Sequence, residues 1–240
     1  MRSDFKSNIP LIVTLLATVG MCGCVIEQEL IIGADGTGTS TVTITLHPAV
    51  VAYIDSLIDS FGAQAGTELF DVALIRSGIE SRAGMRVVEI ESPDRSTLIM
   101  RLEISDIELA AGGIATLSQS TNGSTRLDLM LSRTTFLAVS SLFVDDLSPA
   151  ALFVPVVPSD FLPADDYLEL VHYVLAGVAD ESTINEMVDD SSVAIAVDTK
   201  GLISSVEGGS AMSGQAFFTI PLIDAVTLPA PIRLQLEWRE

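Results

Sequence analysis

The chain has 240 residues, with 12 Lys+Arg against 32 Asp+Glu, a formal net charge of −20, two cysteines and a single tryptophan. That length supports one large domain or two small ones around a real core, and 48% hydrophobic residues with a mean hydropathy of +0.49 exclude a disordered acidic tail. So acidic a chain excludes a nucleic-acid partner, because nothing in it replaces phosphate counterions, and two cysteines exclude a disulfide scaffold or a thiolate metal cluster.

Arg2 and Lys6 form a short basic start around Asp4, and Ile9 to Val19 is an apolar run with Pro10 at its entrance. A spanning helix needs about 20 apolar residues. This run is shorter, and it ends in small residues and cysteine at Gly20-Met21-Cys22-Gly23-Cys24. Basic start, apolar middle and small-residue end predict a secretory signal peptide over 1–23.

The end of that segment, Met21-Cys22-Gly23-Cys24, resembles the lipobox of bacterial lipoproteins. Read on Cys22, the residue before the cut is the bulky Met21; read on Cys24, it is Gly23. The resemblance therefore implies signal cleavage between Gly23 and Cys24, diacylglycerol on the Cys24 sulfur and an acylated (palmitate-type) α-amine. The implied partner is a membrane, reached through acyl chains, and two or three chains hold a protein there stably where one is marginal. Val25 rather than Asp follows the cysteine; by the family rule this favours the outer over the inner membrane in a Gram-negative periplasm. Three alternatives stand beside it: a signal peptide cut without lipidation, an uncleaved anchor helix running to Ile26, and a buried cytoplasmic helix.

Almost no tether follows. Val25 to Ile32 reads as a strand, Asp35-Gly36-Thr37-Gly38 as a turn, and Thr39 to Leu46 as a second strand with a period of two. This hairpin directly after the cysteine resembles envelope lipoproteins of the mycobacterial LppM type, which implies an α+β domain associated with lipid handling. His47-Pro48 opens a helix with Val50, Ile54, Leu57, Ile58 and Phe61 as its apolar stripe. Thr67 is the expected N-cap of a second helix carrying Leu69, Phe70, Ala73, Leu74 and Ile75. Arg86 to Glu91 and Thr97 to Ile104 are strands joined across Pro93-Asp94, and Ile114 to Ser120 and Thr125 to Leu131 flank Asn122-Gly123, a strong hairpin signal.

Arg133 to Val144 reads as a helix, and an apolar connector with Pro149, Pro155, Pro158 and Pro163 leads to a helix over Ala164 to Val178. Strands close the chain at Val193 to Val197, Leu202 to Val206, Ala216 to Ile220 and Pro229 to Trp238, the last with Ala230, Ile232, Leu234, Leu236 and Trp238 inward. About ten strands in hairpins and about four helices make an α+β fold with mostly antiparallel sheet. We expect one domain over 24–240. The order hairpin, helices, hairpin occurs at 25–104 and again at 114–206, without matching residues.

Chemistry-bearing motifs are few. Asp35-Gly36-Thr37-Gly38-Thr39 lacks the lysine of a phosphorylated Asp-Lys-Thr-Gly-Thr loop and is explained by turn chemistry. His47 and His172 are isolated; His172 lies one helical turn beyond Glu169, so a solvated pair is expected, not a metal site. Gly208-Gly209-Ser210-Ala211-Met212 breaks a nucleophile elbow at its last position, and Lys200 sits in a turn rather than beside a serine. Asp145-Asp146, Asp165-Asp166 and Asp189-Asp190 lack the alternating oxygens and central glycine of a calcium loop. We therefore expect no catalytic residue, metal or cofactor. The expected function is that of a non-enzymatic, lipid-anchored envelope protein presenting a binding or structural domain to an envelope protein partner. The alternative is a carrier or sensor of a lipid or other hydrophobic ligand, with Leu152 to Leu162 lining its pocket.

Overall fold

The computed structural model describes residues 23–60, 69–140 and 158–239. The residues before Gly23 where a signal peptide is expected, the expected Thr67 cap, Phe61, the end of the helix expected to reach Val144, and most of the Leu152–Leu162 connector lie outside the described residues.

The chain opens with β1 (Cys24–Ile32) and β2 (Gly38–Leu46), followed by α1 (Pro48–Ser60) and α2 (Val72–Glu80). Then come β3 (Met85–Asp94), β4 (Thr97–Ile104), α3 (Ile107–Ala111), β5 (Ala115–Gln119), β6 (Ser124–Leu131) and α4 (Arg133–Ser140). After a 3-10 turn at Pro158–Asp160, α5 (Ala164–Leu175) and α6 (Glu181–Asp190) lead to β7 (Ser192–Thr199), β8 (Leu202–Glu207) and β9 (Ser210–Met212). The chain ends in β10 (Gln215–Pro221), α7 (Leu222–Thr227) and β11 (Ile232–Arg239). The α+β class holds, but the described residues contain eleven strands and seven α-helices, more than the periodicity reading counted. The additions are α3, α6, α7 and β9. Three of these are too short to show a period; α6 is discussed below.

The strands form two sheets, one ordered β3-β4-β2-β1-β7-β10-β9 and the other β5-β6-β11-β8. One pairing is parallel, β1 with β7 from Val25↔Ser192 to Ile32↔Thr199; β1 is antiparallel to β2 on its other side. Alternation decides which face is inside. Ile26, Leu30 and Ile32 of β1, Val42 and Ile44 of β2, and Leu98, Met100, Leu102 and Ile104 of β4 are all buried, spaced by even numbers of residues along each strand and so on one face. Leu234, Leu236 and Trp238 of β11 are buried as expected, whereas Ala230 lies before the strand and is exposed. The inner faces of the two sheets meet around Leu129, Leu131, Val193, Ile195, Ile220 and Leu234. Elsewhere α6 packs on β1 and α7 on β7 and β10, while α5 touches α1, α6 and α7.

The expected hairpin at 193–206 does not form: β7 and β8 belong to different sheets. The physical reason sits at Gly201, where a Cβ would lie 2.3 Å from the Arg239 carbonyl oxygen. Only glycine lets the chain pass so close to β11 as it leaves one sheet for the other. This crossing also removes the suspected duplication, since β1 to β4 share one sheet while β5 to β8 divide between two. The second helix starts at Val72, after Leu69 and Phe70, later than its apolar residues suggested.

Surface polar groups tie loops to this frame. Arg95 donates from Nη1 and Nη2 to Asp55 at 3.0 and 2.6 Å, joining the β3–β4 turn to α1. Asp55 is held below the ordinary carboxylate value of 3.8 by that Arg95 hydrogen bond. Asp35 and Asp180 are lowered chiefly by backbone N–H groups of Thr37 and Thr183, and Asp94 by the Ser96 hydroxyl. A carboxylate whose folded pKa is depressed contributes stability that is complete above its unfolded pKa and is lost as pH falls through the folded value. The urea midpoint is therefore expected to drop as pH goes below about 4; a midpoint that stays constant down to about pH 2 contradicts this accounting. Trp238, the single tryptophan, is fully buried, so its emission reports global unfolding. Read by that signal, Leu98→Ala should lower stability by about 2–5 kcal/mol, because Leu98 is fully buried and its truncation leaves a cavity.

Candidate functional site

The residues at the expected cleavage point lie at the very start of the folded unit. Cys24 is the first residue of β1, opposite Leu46 in β2, and is 1% exposed. Its side chain falls on the inward phase of β1 together with Ile26 and Leu30. Because Cys24 to Ile26 are strand, an anchor helix running to Ile26 does not fit the fold.

Gly23 sits in a socket between two helix ends. The His47 N–H donates to the Gly23 carbonyl at 2.6 Å, and the Gly23 N–H donates to Ser191 Oγ at 2.8 Å. His47 also starts α1, since its Nδ1 accepts from the Ala49 N–H at 3.1 Å and its carbonyl from the Val50 N–H; the ring acts where a serine or aspartate cap would. Ser191 closes α6: its hydroxyl donates to the Met187 carbonyl at 2.6 Å, and its own carbonyl accepts the Leu222 N–H at the start of α7. Gly23 has φ +122°, and a Cβ there would lie 2.5 Å from Val50 Cγ2 and 2.6 Å from Met187 Sδ. Glycine is required both by conformation and by space. The role of Val50 in α1 and of Met187 and Ser191 at the end of α6 in gripping residue 23 has no local sequence signal, because these two elements lie far from residue 23 and from each other in the chain.

The remaining sequence candidates serve the fold. Asp35 Oδ1 accepts from the Thr37 N–H and hydroxyl at 3.0 and 2.8 Å, an Asx-type turn. His172 Nε2 meets Asn185 Oδ1 at 2.9 Å, bridging α5 to α6; this replaces the expected pairing with Glu169. Lys200 is exposed in the β7–β8 turn, near enough to Asp35 to help lower its pKa. Asp165 and Asp166 lie in the first turn of α5, where carboxylates suit the helix dipole; Asp145-Asp146 falls outside the described residues. Among the described residues no group of three His, Cys, Asp or Glu side chains is placed to hold a metal ion.

Of the apolar connector, Phe161 is buried against Phe136 with ring centroids 5.7 Å apart and interplanar angle 67°. Arg133 covers the Phe161 ring at 5.0 Å while its Nε donates to the Leu228 carbonyl at 3.0 Å. That end of the connector is core packing. The apolar gap between the sheets measures about 20 Å³, room for one water and far below the few hundred Å³ of a ligand pocket. An open trough of about 350 Å³ crosses the outer face of the larger sheet, floored by Ala194 and Ala196 and edged by Glu27, Glu29, Thr41, Thr43 and Phe217; it is a sheet surface, not an enclosed lipid site.

No family model and no curated protein matches this sequence. Among solved structures, the chain is similar to the folded domain of the Mycobacterium tuberculosis LppM protein, at 11% identity over 90% of this chain and 89% of that one, with a TM-score of 0.38. It is similar also to a two-domain M1 zinc metallopeptidase with L-arginine bound, at 12% identity over 90% of this chain and 42% of that one, with a TM-score of 0.23. At these scores neither likeness carries a functional argument. No helix among the described residues is long and apolar enough to cross a membrane.

The socket makes its own prediction. In the full chain, Ser191→Ala leaves the buried Gly23 N–H without its acceptor and should cost about 1–3 kcal/mol in urea denaturation. In a chain beginning at Cys24 the same substitution should cost clearly less, and equal losses in the two chains would refute the assignment of Ser191 to Gly23.

Proposed function

We propose that this chain is a lipid-anchored cell-envelope lipoprotein, attached through Cys24, whose α+β domain acts as a non-enzymatic binding or structural module. The observation that carries the reading is the coincidence of two boundaries. The lipobox-like Met21-Cys22-Gly23-Cys24 ends at the residue with which β1 begins. Removing residues 1–23 therefore leaves every described strand and helix intact, and the Gly23 contacts are the ones it forfeits.

The anchor geometry follows from the absence of a tether. With β1 starting at Cys24, the end of the domain formed by His47, Ser191 and the β1–β2 pair faces the bilayer. Removing Arg2, Asp4 and Lys6 makes an already acidic chain more so, and anionic headgroups repel such a surface. Attachment then rests on the acyl chains, and the domain stands off the bilayer. Outer-membrane placement in a Gram-negative host is the finer part of the proposal, resting on Val25. Partners on this reading are the membrane and an envelope protein, and the reading gives the domain no catalytic role.

Labelling cells with radioactive palmitate tests the proposal. Wild-type protein should carry label and sediment with membranes, and Cys24→Ala should lose the label completely. Label retained by Cys24→Ala places the acyl group elsewhere and defeats the reading.

A further inference from the structure

Resting on the lipoprotein reading, we propose that Gly23 is a latch that holds Cys24 in the core of the unprocessed chain, so that lipid transfer must precede closure of this end of β1. The cut that removes the leader also destroys the latch.

The argument starts from burial. In the transfer reaction the Cys24 thiol loses its proton and its sulfur bonds to the glyceryl carbon of a diacylglyceryl phospholipid. The phosphate headgroup leaves with the electrons of the broken C–O bond and takes up the proton. The sulfur must reach that carbon, yet Cys24 is 1% exposed, and interiors packed to crystalline density have no room for a diacylglyceryl group. Docked Cys24 and lipidated Cys24 are therefore mutually exclusive.

Beside Cys24's own place opposite Leu46 in the β1–β2 pair, its neighbour Gly23 adds contacts that hold it docked. The hydrogen bonds from the Gly23 N–H to Ser191 Oγ and from the His47 N–H to the Gly23 carbonyl, and the packing against Val50 and Met187, all involve the residue on the leader side of the scissile bond. Once the Gly23–Cys24 bond is cut, all of them are gone, and the new α-amino group begins life at a buried position that disfavours its charge. The lipidated residue then stays outside, with β1 holding from Val25 onward through its pairing to β7 and β2.

The test uses the full unprocessed chain bearing Cys22→Ser, which leaves Cys24 as its one thiol. Maleimide labelling of folded protein should be about 100-fold slower than in urea, because it needs local opening, and Ser191→Ala should speed the native reaction about 10-fold. Membranes containing the lipid-transfer machinery and palmitate-labelled phospholipid are then offered the chain either prefolded or freshly diluted from urea. Label is expected on the diluted chain and not on the prefolded one. Native labelling as fast as in urea, or equal lipidation of both samples, overturns the latch while leaving the anchor standing. Lipidation of neither sample overturns the anchor itself, and the latch with it.

Discussion

The fold depends on β1 being paired on both sides at once. It is antiparallel to β2 and parallel to β7, and so every one of its backbone groups between Val25 and Ile32 faces a ladder. A strand in that position, with one face buried, tolerates no slip of register, because a shift by one residue would turn Ile26, Leu30 and Ile32 outward and Glu27 and Glu29 inward. The first residues of the strand inherit this constraint, which is why Cys24 is buried and why Gly23 is drawn into a socket between α1 and α6. The one cysteine among the described residues thus occupies one of their most constrained positions.

That placement reverses a usual arrangement. A lipid-attachment point followed by a flexible segment would leave the domain indifferent to its anchor. On the reading proposed above, anchor and domain share a residue, so covalent processing and folding compete for it. On that reading the order in which they act is a property of the chain's own packing, through Ser191, Met187, Val50 and His47, as well as of the processing machinery. For a lipid-anchored domain the acidic surface adds a second consequence of the same proposal: repulsion from anionic headgroups works against lying flat, and the orientation is set at the Cys24 end.

The two sheets are joined by chain crossings rather than by hairpins. Gly201 lets the backbone pass within touching distance of the Arg239 carbonyl, and the chain moves from the larger sheet to the smaller between β7 and β8. This gives the core its depth, with Trp238 and Phe136 among the largest fully buried side chains, and the apolar gap lined by Leu129, Val193 and Ile220 measures about 20 Å³.

Much of this was legible in the residue order. The alternation of Leu98, Met100, Leu102 and Ile104, the Asn122-Gly123 turn and the Asp35-Gly36 turn are local signals, and each became the element it indicated. The α6 helix was legible too, since Asp180 caps it and Ile184, Met187 and Val188 follow helical spacing, but its low overall hydropathy hid it. The sequence by itself determined the α+β class, the inward phase of most strands and the lipobox-like boundary at Cys24, because each depends on neighbours within a few positions. Only the tertiary structure decided that β7 lies parallel to β1, that β7 and β8 part company, that His172 meets Asn185, and that Ser191 grips Gly23 from 168 positions away. Those outcomes rest on contacts between distant segments, whose pairing is set by which faces can be buried together and not by any local preference.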